Sequence, residues 1–301
     1  MSTVTNRIVQ RSNIGFTQGV NYGDNVFYDG NKPELTPKHI ALETHKKIKA
    51  EWEIAGTCDW LLQENDFQSW RRLETGSSFL WLYGPPGCGK STLMSRVIES
   101  IYEDQTAAGV PGDRINLLYF YVGFGDDNNR EKLYRSMLET FWEQAVKKSE
   151  ARSMNVFGNH SPPELMQDEL HKLLASSSLQ GDIYMVIDAL DQLPQESQYS
   201  LIEGLNTLVH KLNLETSRRF RVAISSRYLD GIDQLRVHRL FPLVIKVTPG
   251  SNKLDIQRYL DRNLKSKLFD KNPELRKRVF DELNENADGR RVSLSISTVT
   301  S

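Results

Sequence analysis

Apolar residues occur along this chain in short unbroken runs, separated by longer stretches of mixed polarity. The runs are Phe79-Leu80-Trp81-Leu82-Tyr83, Asn116 to Val122, Ile183-Tyr184-Met185-Val186-Ile187-Asp188, Phe220 to Arg227, and Leu243 to Val247. A strand with one wet face alternates polar and apolar residues, whereas a strand covered on both faces does not. The five runs therefore predict strands of one buried, mainly parallel sheet. Between them the spacing turns helical. Leu93, Met94, Val97, Ile98 and Ile101 share a face, as do Leu133, Met137, Leu138, Phe141 and Ala145 across residues 130–148. Leu165 to Leu174 and Ser197 to Leu212 read as helices too. Another helix is predicted from Pro37, whose fixed φ suits a first turn, to Trp52. One more is predicted through Trp60, Leu61, Leu62, Phe67 and Trp70, with its aromatics in the core. Residues 252–286 are periodic through Leu254, Ile256, Tyr259, Leu260 and Leu264. Alternation of strand and helix predicts an α/β fold of three layers, α/β/α, around a mainly parallel five-stranded sheet.

The first strand runs into Gly84-Pro85-Pro86-Gly87-Cys88-Gly89-Lys90-Ser91-Thr92, and a helix follows. This is the G-x-x-x-x-G-K-[ST] phosphate-loop pattern in its required strand–loop–helix context, which makes the fold that of a P-loop NTPase. Glycines let the loop curl and aim backbone N–H groups inward, and the helix adds its positive end. Lys90 offers a charge to β- and γ-phosphates, Ser91 a hydroxyl to Mg²⁺, and Thr92 a position near the α-phosphate. A chance Gly/Pro turn before a helix is the competing explanation, and four fixed positions with the right flanks weigh against it.

Asp188 closes its apolar run, and strand ends converge on the ligand crevice in open α/β sheets. It is expected to hold Mg²⁺ with Ser91. Asp191 is placed to polarise an attacking water, and Arg227, at the end of the next strand, to sense the γ-phosphate. The plainer alternatives are a helix cap at Asp188, a solvated turn residue at Asp191 and a surface ion pair of Arg227 with Asp230. The expected ligands are Mg²⁺ and ATP or GTP, since nothing in the pattern reads the base.

Composition narrows the partners. The 301 residues carry 38 Lys and Arg against 39 Asp and Glu, a net charge of −1. No basic field or run calls for nucleic acid. No apolar stretch approaches a membrane span, and Met1 to Asn6 has no apolar segment of the secretory kind. Cys58 and Cys88 make no disulfide framework, and a disulfide at Cys88 would obstruct the phosphate loop, so a reducing, cytoplasmic setting is expected.

Residues 1–32 differ from the rest. Ile14, Phe16, Val20 and Tyr22 fall at period two among Asn and Gly, a composition found in segments that stack with copies of themselves and equally in disordered tails. The chain divides into that segment, a linker and helical lead-in over 33–76, a core over 77–250, the start of a helical segment over 251–288, and a low-complexity tail over 289–301.

Val186-Ile187-Asp188-Ala189-Leu190-Asp191 resembles the second motif of fungal NACHT domains, the NTPase modules of NOD-like receptors (the STAND class). Gly56 to Leu62, with Trp70 and Phe79-Leu80-Trp81, resembles what precedes the phosphate loop in those proteins. Ser225-Ser226-Arg227, and then Asn252, Asp255-Ile256 and Tyr259-Leu260, resemble their later segments, so the likeness covers residues 50–288. Residues 12–30 resemble the HET-s or sigma type of prion-forming motif found ahead of some members. The resemblance implies a signalling switch in non-self recognition and programmed cell death. Triphosphate exchange drives self-association, and the N-terminal motif templates amyloid onto an effector carrying a similar motif. Two departures stand out. Gln192 replaces the motif's last acidic residue and cannot act as a base, so hydrolysis is expected to be slow. After Gly289 the pattern of further helices and a winged helix gives way to a Ser/Thr/Val tail. Two rivals remain: a small-molecule kinase, for which no acceptor cluster is identified, and a non-enzymatic templating protein carrying a degenerate core.

Overall fold

The computed structural model describes residues 37–263 except 54–55, 73–77, 113–114, 124–129, 150–160, 177–178, 180, 216–217, 238–242 and 249, together with 273–274 and 277–279. The expectations for residues 1–36, nearly all of the helix beyond residue 263 and the tail lie outside the described residues.

Each apolar run forms a strand. They are β1 (Phe79–Tyr83), β2 (Asn116–Tyr121), β3 (Ile183–Asp188), β4 (Phe220–Ser226) and β5 (Leu243–Lys246). All pair in parallel, in the order β2-β3-β4-β1-β5. The β2, β3 and β4 strands are buried at every position, which is why their sequences do not alternate. Around them pack α1 (Pro37–Trp52), α2 (Asp59–Gln63), α3 (Asn65–Arg72), α4 (Lys90–Ala107), α5 (Arg130–Lys148), α6 (Pro163–Ala175), α7 (Gln195–Glu215), α8 (Asp230–Val237) and α9 (Lys253–Asn263).

Two elements depart from expectation. The helix expected through Trp60 and Trp70 is two helices, because Glu64 adopts extended backbone (φ −63°, ψ 133°) and ends α2. The break turns both Phe67 and Trp70 fully inward, and Trp70 Nε1 donates to Ser78 O at 3.1 Å. The α8 helix was not foreseen, since its eight residues are too short to carry a convincing period.

On each edge strand one residue's backbone is paired by a side chain. On β2, Gln144 of α5 accepts from Tyr119 N at 2.9 Å and donates to Tyr119 O at 3.1 Å, replacing a missing neighbouring strand. On β5, Asp66 of α3 accepts from Val244 N at 2.9 Å. Pairing exposed backbone in this way removes a template for unwanted strand addition. Arg218 serves the end of α6, donating to the carbonyls of Leu174, Ala175, Ser176 and Leu179 at 2.7–3.2 Å.

The order of strands decides the site. The β4 strand lies between the phosphate-loop strand β1 and the aspartate strand β3. Tyr83 is level with Ser226, and Ile187 with Ile224. The C-terminal ends of β1, β3 and β4 therefore open side by side.

Candidate functional site

The phosphate loop is shaped by its glycines. Gly87 and Gly89 have φ of 76° and 85°, in the left-handed region that suits a residue without Cβ. Gly84 has a different reason: a Cβ there would stand 2.8 Å from Cys88 Sγ and 2.9 Å from Val247 O. The loop thus folds over its own cysteine, which is buried, and burial pushes the Cys88 thiol pKa up against the pull of Lys90. The exposed Pro85 and Pro86 form the outer curve. Asn252, just before α9, donates to Cys88 O at 2.8 Å and braces the loop from behind.

Lys90, Ser91 and Thr92 open α4. The Lys90 ammonium donates to Gly84 O and Pro85 O, both at 2.9 Å. It is therefore folded onto the loop whose anion it is expected to meet. Asp188 is buried at the end of β3. Its Oδ1 accepts from Ser225 Oγ, which in turn accepts from Ala189 N at 3.0 Å. Its Oδ2 is buried with no hydrogen-bond partner. Burial raises the Asp188 pKa, opposed by Ser225, Ser91 and Lys90. An orphaned carboxylate oxygen costs folding energy unless something else satisfies it. A divalent cation or its water, shared with the nearby Ser91 hydroxyl, fits that oxygen, as Mg²⁺ commonly takes one or two protein oxygens and completes its shell with phosphate and water.

Ala189 stands at φ 58°, ψ 45°, a left-handed position that turns the chain out of β3 into a 3-10 turn, Leu190–Gln192. That turn brings Asp191 to Arg227. Asp191 Oδ1 accepts from Arg227 N at 2.9 Å and Oδ2 from Arg227 Nε at 2.6 Å. The ion-pair partner of Arg227 is thus Asp191, not Asp230. Gln192 is exposed and lies over Gly123, where a Cβ would collide with its amide.

A mostly apolar cleft lies beside the loop. Gly87, Gly89 and Thr92 form one wall, Ile256 and Tyr259 of α9 another, and Trp52 and Thr57 a third. Asp255 also lines it, accepting from Cys58 N at 3.0 Å and Trp60 Nε1 at 3.1 Å, and so ties α9 to the lead-in before β1. Burial raises the Asp255 pKa, and these two donors oppose the rise. The Thr57 hydroxyl is buried there without a partner. The sequence marked Thr57, Cys58, Asp255 and Tyr259 by resemblance alone, and it assigned them no role. Trp52, read only as the end of a helix, was missed, because its place in the wall depends on how α1 packs.

A parallel sheet, a phosphate loop between β1 and α4, and an acidic strand end across an interposed strand define a P-loop NTPase fold. The profile of the nephrocystin 3 N-terminal family matches residues 56–227, more than half of the chain. The chain belongs to that family, and the matched region holds the loop, Asp188, Asp191 and Arg227. A comparison with curated proteins found no match. Among solved structures the chain is similar to a DNA replication initiation factor (16% identity, 86% of this chain and 62% of that one, TM-score 0.43). It is similar also to AMPPCP-bound DnaA from Aquifex aeolicus (17%, 86% and 62%, 0.42) and to ORC1 of Aeropyrum pernix in complex with DNA (17%, 76% and 63%, 0.42). The chain spans less than two thirds of each of these proteins. No described helix is long and apolar enough to cross a membrane.

Proposed function

We propose that this chain is a nucleotide-dependent switch that binds ATP or GTP with Mg²⁺. The observation that carries the proposal is the pairing of an unsatisfied, buried Asp188 oxygen with a phosphate loop whose lysine is turned onto its own carbonyls. Both groups are satisfied by a triphosphate and a cation better than by the protein alone. The loop from Gly84 to Thr92 cradles the phosphates through its N–H groups, and Lys90 swings from its carbonyls to them. Ser91 and Asp188 would hold the metal, which would supply charge neutralisation to the phosphates. Asp191 and Arg227, already bonded to each other, face the same strand-end crevice, Arg227 to sense the γ-phosphate and Asp191 to orient water. With Gln192 in place of a carboxylate, turnover is slow, as a switch tolerates. The apolar cleft beside Thr92 receives the base.

The NACHT-like motifs support a signalling role, with self-association as the response to triphosphate. The composition of residues 1–32 supports an output by amyloid templating onto an effector in the cytoplasm, in non-self recognition and cell death. The test is equilibrium binding of fluorescent ATP and GTP analogues, with Mg²⁺, to the full chain and to Lys90→Ala. Binding that Lys90→Ala weakens by a hundredfold or more, roughly 2.7 kcal/mol, is the expected result. Equal affinity in the variant overturns the site, and no binding to either folded protein moves the function onto the N-terminal segment.

A further inference from the structure

The helix that precedes the core is joined to the nucleotide cleft by a line of buried polar contacts. Trp52, in the last turn of α1, is buried as a wall of the cleft. Its indole Nε1 donates to Ser95 Oγ at 2.9 Å. Ser95 lies on α4 four residues after Ser91, one helical turn past the phosphate loop. Ser95 Oγ is 3.3 Å from His45 Nδ1, which also meets the Tyr121 hydroxyl at 2.9 Å. His45 Nε2 meets Glu99 Oε1 at 2.9 Å, and Glu99 Oε2 accepts from Lys49 Nζ at 2.7 Å. Helix α1 thus supplies His45, Lys49 and Trp52, and α4 supplies Ser95 and Glu99.

This seam is unlike an ordinary helix contact. Ala41, Leu42 and Ile48 contribute apolar burial, but the centre is a carboxylate, an imidazole and hydroxyls, buried or nearly so. Burial alone pushes the Glu99 pKa up, and the bonds from His45 and Lys49 more than offset this and hold it low. If α1 lifts, Glu99 loses both partners, Ser95 loses Trp52, and the cleft loses a wall. A buried polar network is favourable only when every member is satisfied, so the seam closes and opens as a unit. The chain also passes through α1 between residues 1–36 and the core.

We infer that α1 is a nucleotide-responsive clamp: filling the cleft against Trp52 and docking α1 onto α4 through Ser95, His45 and Glu99 each strengthen the other. The inference rests on the cleft being the nucleotide site. Because the chain enters α1 from residues 1–36, the clamp links that site to the N-terminal segment along the sequence. Coupling between two events is reciprocal in binding free energy. A change at His45, which does not line the cleft, therefore weakens nucleotide binding by the same factor by which it weakens the nucleotide's hold on α1.

The experiment is amide hydrogen exchange on the full chain with Mg²⁺, with and without ATPγS or GTPγS, beside the affinity of His45→Phe and of the milder Lys49→Met. The expected result is about tenfold slower exchange across residues 44–52 on binding, with α6 unchanged. Affinity should fall about tenfold in His45→Phe and less in Lys49→Met, each loss matched by the lost protection; typical couplings run from about 5- to 150-fold. Should His45→Phe fail to fold, exchange in the unaltered protein and Lys49→Met decide the matter. Normal nucleotide binding with unchanged α1 exchange overturns the clamp alone. Absence of nucleotide binding by the folded protein overturns the reading of the site, and the clamp with it.

Discussion

Asp188 shows how one residue can be set against the stability of its own fold. Its carboxyl is buried, bonded through one oxygen to Ser225 and left open at the other. Burial raises its pKa in the folded protein, so the folded state keeps this proton to higher pH than the unfolded chain does. Its contribution is greatest below the unfolded pKa and is lost as pH rises through the folded one. Asp188→Asn keeps an acceptor for Ser225 and removes the charge. The ligand-free variant should be more stable at neutral pH by about 1 kcal/mol, roughly 2–4 °C in Tm, with a smaller loss on going from acid to neutral pH. It should also lose the Mg²⁺-dependent part of nucleotide affinity. Thermal melts at two pH values and titrations with and without Mg²⁺ check both, and a destabilised variant that keeps its Mg²⁺ dependence would make Asp188 merely structural. Ala189 carries a similar cost: a left-handed alanine is unfavourable by about 1–2 kcal/mol, and it is retained where it throws Asp191 across to Arg227.

Elements are held in place here by single polar side chains as much as by apolar faces. Gln144 is buried on α5, and its amide closes the β2 edge at Tyr119. Gln144→Leu keeps the volume and the helix but withdraws both bonds from a buried strand edge. The expected loss is about 2 kcal/mol of unfolding free energy, with a greater tendency to aggregate on heating. Urea unfolding with an unchanged m-value, beside light scattering, checks this, and a neutral substitution would show that water reaches the edge. The sequence marked α5 by its apolar face but gave no sign of what Gln144 does, because an edge exists only once the order of strands is known.

At the scale of the molecule, two parts of the chain obey different rules. The core buries continuous strands between helices, whereas residues 1–32 have too few apolar positions for a core of their own. A peptide of residues 1–32 is expected to form fibrils with the cross-β spacing of about 4.7 Å, and residues 33–301 to stay in solution under the same conditions. Fibre diffraction and sedimentation check this, and a peptide that stays soluble and monomeric would remove templating from the proposed function.

The local pattern by itself determined the strands, most helices, the phosphate loop and the acid at the end of β3, because each depends on near neighbours: apolar runs, period, and glycines at fixed spacing. Asp188 was legible as the end of an apolar strand, Asp191 as an acid three residues beyond it, and Arg227 as the end of the next strand. That Asp191 and Arg227 bond to each other was not, nor was the break at Glu64. Those depend on a left-handed alanine and on packing against the sheet. The cleft is the plainest case. Trp52, Thr57 and Asp255 are up to about 200 residues apart in sequence, and no period links them. Only the tertiary structure, by placing β4 between β1 and β3 and docking α1 and α9 beside the loop, decided which side chains share the site.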